Sequence, residues 1–397
     1  MTFVEFIEQD RRHILQHRIV LDAPGQQTFG QHFNFSGRGN PGFETDTVTD
    51  ALPNRLADLL SRRPYLLADG ATGSNLFEMG LVSGDAPELW NVDHPDRIRL
   101  LHQRFVDAGA DLILTNTFGG TRYRLKLHSA ENRVRELNRA AAQLARSVAD
   151  ASGREVLVAG SIGPTGEIMQ PLGPLSFEDA RAAFAEQAAA LAEGGADVMW
   201  IETLSSREEV EAAIAGAEST GLPVVSTLSF DTNGRTMMSL TPAELAGIAQ
   251  QHHLAACGSN CGVGPAELVA SVLNLSAAAD PSMVIVAKAN CGIPQYVSGA
   301  IRYDGTPELM ASYVHLAIDA GARIIGGCCG TSPEHLAAMR RALDAHVPGP
   351  RPDAALLEST LGQISTGARA QLGGNLDRAA GSASGAAPRT RRSRRTP

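Results

Sequence analysis

The chain has 397 residues, 43% hydrophobic and 19% charged, enough for a large buried core in one barrel-sized domain or two smaller ones. A formal net charge of -9 argues against a nucleic-acid surface, and no apolar run approaches the roughly 20 residues of a membrane span. Five cysteines, without disulfide-framework spacing, fit a reducing compartment in which they serve chemistry or metal.

The opening MTFVEFIEQDRRHILQH carries charges inside its apolar stretch and does not read as a secretory signal, so a cytoplasmic protein is expected. Residues 1–55, with QQTFGQHFNFSGRGNPGFETDT, show no period and are expected to form an irregular or disordered extension. Residues 56–346 are regular. Short apolar or β-branched runs recur at YLLAD (65–69), DLILTN (111–116), VLVAGS (156–161), DVMWIE (197–202), PVVSTLSF (223–230), AACGSNC (255–261), MVIVAKAN (283–290) and RIIGGCC (323–329). They are continuous rather than alternating, as buried parallel strands are.

Each gap between runs holds a helical pattern, often with its own start signal. Thr241, Pro242 and Glu244 form an expected capping box, repeated at Thr306 and Ser332 and more weakly at Ser206/Glu209 and Ser176/Asp179. Three helices end alike before a strand, in DAGAD (107–111), EGGAD (193–197) and DAGAR (319–323), where glycine permits a left-handed stop. From position 347 the chain turns to Pro, Gly, Ala and Ser and ends in PRTRRSRRTP; 347–397 is expected to be a disordered, basic-ended tail.

Eight strand–helix units in this space predict an α/β fold of the (β/α)8 barrel type. The alternative, a doubly wound open sheet, would want a phosphate-binding glycine loop, and ADGATGSN matches neither G-x-G-x-x-G nor the P-loop.

A barrel places its chemistry at the carboxyl ends of the strands. Those ends carry Asp69-Gly70, Asn116-Thr117, Ser161, Glu202-Thr203, Asn260-Cys261, Asn290-Cys291 and Cys328-Cys329. Four of the five cysteines therefore converge on one rim; Cys257 lies inside its strand and reads as a small buried hydrophobe. Cys261, Cys328 and Cys329 come from strands separated by one neighbour. Three thiolates suit Zn²⁺ and leave the fourth position open, as catalytic zinc sites do. Cys291 is either a fourth ligand or a bystander, the second being favoured. A thiolate-only zinc is a poor activator of water but a good holder of a substrate thiol, which points to alkyl transfer onto sulfur rather than hydrolysis.

The runs LLADGATGSNLFEMG, GADLILTNTFGGT, AGSIGPTGE, MWIETLSS, GSNCGVGP and IIGGCCGTSPEHL resemble the zinc-dependent homocysteine S-methyltransferase family over roughly residues 57–346. That resemblance implies a (β/α)8 barrel with zinc on Cys261, Cys328 and Cys329 and the homocysteine sulfur in fourth place. It implies that Asp69 and Glu202 hold the homocysteine ammonium. Backbone N–H groups near Gly70 or Ser161 are candidates for its carboxylate, and Asn116 is a further expected substrate contact.

The runs DAPELWNVDHP, GPTGEIMQPLG and SFDTNGRTMMS resemble bacterial betaine–homocysteine methyltransferases, so glycine betaine is the expected donor. Phe118, Tyr123, Trp200 and Tyr296 are candidates for an aromatic contact with it, although ordinary packing is the expectation for Phe118, Trp200 and Tyr296 individually. The alternatives are a sulfonium donor of the S-methylmethionine type and a zinc subunit that accepts methyl from a separate corrinoid protein, since the tail is too short for a cobalamin or folate domain. A barrel keeping zinc only for structure is a third. Expected partners are thus small molecules, with no nucleic acid and no membrane; a homo-oligomer is compatible with the sequence.

Overall fold

The computed structural model describes residues 54–297 and 300–375. The N-terminal extension up to residue 53, the arginine-rich end from 376 and the side chain of Tyr296 lie outside the described part.

Eight strands form one parallel sheet: β1 (Leu66–Leu67), β2 (Leu112–Leu114), β3 (Leu157–Ile162), β4 (Val198–Leu204), β5 (Val224–Leu228), β6 (Ala256–Cys261), β7 (Val284–Ala289) and β10 (Ala322–Gly327). Their order is β1-β10-β7-β6-β5-β4-β3-β2, and a bridge between Ala68 and Leu112 joins the two ends into a barrel. The expected fold and all eight expected strands are present. The sequence reading did not anticipate the antiparallel hairpin β8 (Pro294–Val297) and β9 (Ala300–Tyr303), set between β7 and the helix Pro307–Asp319.

The strands read as unbroken apolar runs because both faces are buried. Leu66, Ala68, Leu112, Leu114, Leu157, Ala159, Val198, Trp200, Val225, Ala256, Val286 and Ile324 form an inner cluster; the intervening residues pack outward on the helices. Since side chains alternate along a strand, continuing the inner set by two residues reaches Ser161, Glu202 and Lys288. The sequence thus carries its polar groups into the barrel mouth in step with its core.

Helix boundaries follow the local signals. Thr241 and Glu244 form the capping box. Ser332 is also boxed, but His335 closes it, because His335 rather than Glu334 occupies the third helical position. Thr306 caps Leu309 without a box, and Ser206 and Ser176 cap Glu209 and Asp179. Gly109, Gly195 and Gly321 all take positive φ, at 104°, 98° and 110°. Two of these stops are followed by an aspartate that closes the barrel floor. Asp111 accepts from the Leu67 N–H (2.9 Å), Arg63 (2.5 Å) and Arg340 (3.0 Å). Asp197 accepts from the Val158 N–H (2.8 Å), Arg55 (2.6 Å) and Arg146 (2.9 Å).

The tail expectation is corrected for residues 347–375. Helices Ala354–Leu361 and Thr366–Leu372 start at the N-caps Asp353 and Ser365 and bury Leu357, Leu361, Ile364 and Ala368. Arg351 donates to the Leu273 carbonyl (2.7 Å), and Ser365 donates to Glu267 through both its N–H and its hydroxyl. The Ala/Gly/Ser composition conceals two capped turns that are ordered by docking on the helix Pro265–Ala278. Among the described residues no helix is long and apolar enough to cross a membrane.

Candidate metal centre and substrate site

The ends of β6 and β10 bring Cys261, Cys328 and Cys329 together, with their three sulfurs within 4.8 Å of one another. The Cys261 and Cys329 sulfurs are 3.9 Å apart. Tetrahedral zinc with Zn–S bonds near ~2.3 Å requires S···S separations of about 3.8 Å, so the trio fits that ion without rearrangement of the backbone.

The backbone is shaped for this. Cys261 has φ 62° and is followed by Gly262 at φ 82°, which turns the β6 end inward. The Cys328 N–H donates to the Ala289 carbonyl (2.6 Å) and the Cys291 N–H to the Cys329 carbonyl (2.9 Å), pinning the cysteine pair to the end of β7. Gly330 has φ 79°, and a Cβ there would lie 2.3 Å from the Tyr303 ring, so glycine is required for that ring to pack over the loop.

Cys329 is held well below the ordinary thiol range by hydrogen bonds from the Cys261 and Cys328 thiols, with the Tyr303 hydroxyl adding a third. Cys291 stands apart: its thiol points to the Gly305 carbonyl (3.4 Å), and burial pushes it up to about 12. That geometry fits a bystander. Cys257 is buried inside β6, as expected, and also pushed to about 12 by burial.

Beside the cysteines lies a buried ionic cluster. The Lys288 ammonium on β7 is 2.8 Å from Asp69 Oδ1 and 5.8 Å from the centre of the Trp200 ring. Asp69 Oδ2 accepts from the Leu114 N–H (2.7 Å). Glu202 accepts from the Ser161 hydroxyl at 2.5 Å. Asp69, Glu202 and Lys288 are 1%, 7% and 2% exposed, so none is a solvated strand-end charge. Burial works against the Lys288 ammonium, but Asp69 and then Glu202 outweigh it and its pKa rises. Burial raises Glu202 to about 7, against the pull of Lys288. Asn260 braces the same region: it donates to Thr203 Oγ1 (2.7 Å) and accepts from the Thr203 N–H (3.2 Å), linking the turn after Glu202 to the turn at Cys261.

Asp69, Glu202 and Ser161 therefore share one mouth with the three cysteines. Two other expectations are redirected. The Asn116 side-chain amide gives both its N–H groups to the Pro87 carbonyl (2.7 Å) and Asn91 (3.1 Å), which makes it a brace for the β2 loop. The Ser161 N–H is taken by Thr115 Oγ1 (3.0 Å), so it is no free donor for a carboxylate. Gly70 has its Cα face against the Phe105 ring and the Thr331 carbonyl, each 2.7 Å from where a Cβ would sit; packing accounts for this glycine. Trp200 is fully buried below Lys288 and donates to Thr227 (3.3 Å), in the core rather than on the rim. Phe118 and Tyr123 are partly buried.

Sequence reasoning missed Lys288 and Tyr303. Lys288 had a signal: a lone lysine inside the apolar run MVIVAKAN, where a buried charge needs a partner. Tyr303 had none, because its role depends on how the hairpin folds back over Gly330.

A three-thiol mouth beside buried carboxylates defines a class of barrel with a candidate metal site at the carboxyl ends of its strands. The homocysteine S-methyltransferase family profile matches residues 66–343, and the chain belongs to that family. It is 30% identical to the methionine synthase of Mycobacterium tuberculosis (strain ATCC 25618 / H37Rv) over 303 residues, covering 71% of this chain and 25% of that protein. The Mycobacterium leprae (strain TN) methionine synthase is 29% identical over 313 residues, covering 74% of this chain and 26% of that protein. The chain thus spans about a quarter of the length of these relatives. Among solved structures, the metallated form of the homocysteine methyltransferase MmuM from Escherichia coli superposes with a TM-score of 0.61 at 25% identity, covering 72% of this chain and 99% of that one. Its oxidized form gives 0.62 at 26% identity, covering 73% and 99%.

Proposed function

We propose that this chain transfers a methyl group to the sulfur of homocysteine, giving methionine, with glycine betaine as donor and dimethylglycine as the second product. The observation that carries the acceptor half is the three-sulfur cluster beside Asp69, Glu202 and Lys288. Cys261, Cys328 and Cys329 would hold zinc. When bound, zinc lowers the pKa of a coordinated thiol and so supplies a thiolate nucleophile at neutral pH.

The chain's own residues do the rest. Ionised Glu202 offers a carboxylate to the substrate ammonium in a mouth with little competing water, where a charge-assisted hydrogen bond is strongest. Asn260 and the positive-φ turns at Thr203 and Cys261 hold that carboxylate in register with the sulfur site. Holding acceptor and donor in line is worth several kcal/mol, about 7 or more in well-oriented cases. In the reaction a new S–C bond forms as the N–CH3 bond of betaine breaks, and the electron pair of that bond leaves on dimethylglycine.

The test is product analysis with the zinc-loaded full chain under reducing conditions. Methionine and dimethylglycine appearing in equal amounts from homocysteine and betaine is the expected result. Homocysteine binding without betaine turnover would overturn the donor assignment and leave the acceptor assignment standing. The mycobacterial relatives favour a second reading for that case: a longer protein of which this module is a quarter can carry its donor elsewhere. A sulfonium compound and then a methylated corrinoid protein would be supplied instead.

A further inference from the structure

Lys288 alters the charge arithmetic of the substrate site. Two buried carboxylates suit an ammonium, yet one of them already has an ammonium at 2.8 Å. Each Asp69 oxygen already has a donor: one faces Lys288 and the other accepts from the Leu114 N–H. Glu202 accepts only from the Ser161 hydroxyl among the described residues, at 2.5 Å.

Lys288 is not used up. An ammonium has three N–H donors, and Asp69 is the one hydrogen-bond acceptor it meets among the described residues. Its side chain runs past Gly326, where a Cβ would lie 3.0 Å from the lysine Cγ, so glycine leaves it room at the barrel mouth. The group is 2% exposed, and water does little to satisfy the remaining donors. Of the backbone donors that sequence alone suggested for a substrate carboxylate, the Ser161 N–H is already taken by Thr115 Oγ1.

We infer that Lys288 is the partner of the substrate α-carboxylate, with Asp69 positioning Lys288 and Glu202 alone receiving the ammonium. This rests on the homocysteine reading above and deepens it. A zwitterionic amino acid then finds an opposite partner for each of its charges, Lys288 for the carboxylate and Glu202 for the ammonium, while Asp69 remains the buried counter-ion of Lys288. A substrate lacking either charge leaves one of these groups desolvated and unpaired, which is the strong form of discrimination. Lys288 is thus a specificity-determining residue for the acceptor.

The test is calorimetric binding of two thiols to the zinc-loaded full chain: homocysteine, and homocysteamine, which is homocysteine without its carboxylate. Wild-type protein should prefer homocysteine by about tenfold or more, the scale of one charge-assisted hydrogen bond. The Lys288→Met variant should lose that preference by weakening homocysteine and leaving homocysteamine within about twofold. If Lys288→Met fails to fold because Asp69 is left unpaired, the double variant Asp69→Asn/Lys288→Met removes both charges and should show the same loss. Equal binding of the two thiols by wild-type protein, or an undiminished preference in either variant, would overturn the assignment. Failure of homocysteine itself to bind wild-type protein would sink the homocysteine reading and the Lys288 assignment together, a result distinct from binding without selectivity.

Discussion

The two ends of the barrel use charge in opposite ways. At the floor, Asp111 and Asp197 each accept a strand N–H and two arginines, and those arginines reach solvent: Arg63 and Arg55 have side chains 38% and 37% exposed. Every carboxylate oxygen has a donor, and the remaining N–H groups of the exposed arginines can turn to water. At the mouth, Asp69, Glu202 and Lys288 are sealed from water, Glu202 has one neutral hydroxyl partner, and Lys288 has spare donors. A fully paired network stiffens a fold, whereas an incompletely paired one is ready for a ligand that completes it. The same residue types thus make structure at one end and a candidate binding site at the other, according to whether the pairing is finished.

Removing one mouth ligand should have the largest effect. Cys329→Ala takes away one of the three proposed zinc ligands, and zinc affinity should fall by at least about a hundredfold, a modest share of the binding energy of such sites. Methionine formation should fall with it; full activity in a zinc-free variant would break the comparison. At the floor the effect should be on stability alone. Asp111→Asn removes the charge that Arg63 and Arg340 share and turns one of the two acceptor oxygens into a donor, and should cost about 2–3 kcal/mol after allowing for solvent around the arginines. Denaturant unfolding reads that loss, while zinc content and thiol affinity of the folded fraction should stay at wild-type values.

Glu202 sharpens the contrast through pH. Its pKa in the fold is about 7, raised by burial above the ordinary 4.5. The folded protein therefore binds more protons than the unfolded chain between those values. The stability linked to this group is complete below about pH 4.5 and is lost as pH rises through about 7, at most about 3 kcal/mol. Glu202→Gln should abolish that slope and make the substrate-free protein more stable at pH 8 to 9, about the upper side of the window, yet weaken homocysteine binding. In wild-type protein, binding should strengthen as pH rises through about 7, because the ammonium is received by the ionised carboxylate. A flat binding profile across neutrality would remove Glu202 from the substrate site.

Tyr303→Phe is a smaller perturbation. It deletes the hydroxyl that hydrogen-bonds Cys329 while keeping the ring over Gly330. Chelator competition should show zinc affinity reduced by about tenfold, the lower end for an outer contact to a metal ligand. Arg62→Ala should be smallest. It removes an exposed pair with Glu155 at the floor periphery, and the Tm should not change measurably.

Much of this architecture is legible before folding. Apolar runs such as VLVAGS and PVVSTLSF can be satisfied only with both faces covered, and three left-handed glycine stops mark where helices hand over to strands. The cysteine trio is legible because thiols set among glycines at strand ends have few other uses. The local signals fail where a partner is distant in the chain. Glu209 looks like the closing residue of a capping box, but its carboxylate turns to the Thr165 N–H (2.8 Å) and hydroxyl (2.6 Å). Asn116 looks like a rim group until Asn91 and the Pro87 carbonyl claim its amide. The tail from 347 looks structureless because its caps at Asp353 and Ser365 matter only once Arg351 and Glu267 anchor them to the barrel.

By itself the sequence determined the repeating strand–helix order and the caps that start the helices, because these depend on residues a few positions apart, and it marked the three thiols that can share a metal because each stands at the end of an apolar run that a barrel brings to one rim. Tertiary structure alone decided which charges are free. Lys288 meets Asp69 across 219 positions of chain, and Tyr303 meets Cys329 only where a hairpin folds over a glycine. Whether a buried ion is paired or waiting depends on distances of a few ångströms between segments that are remote in sequence, and no local pattern encodes those distances.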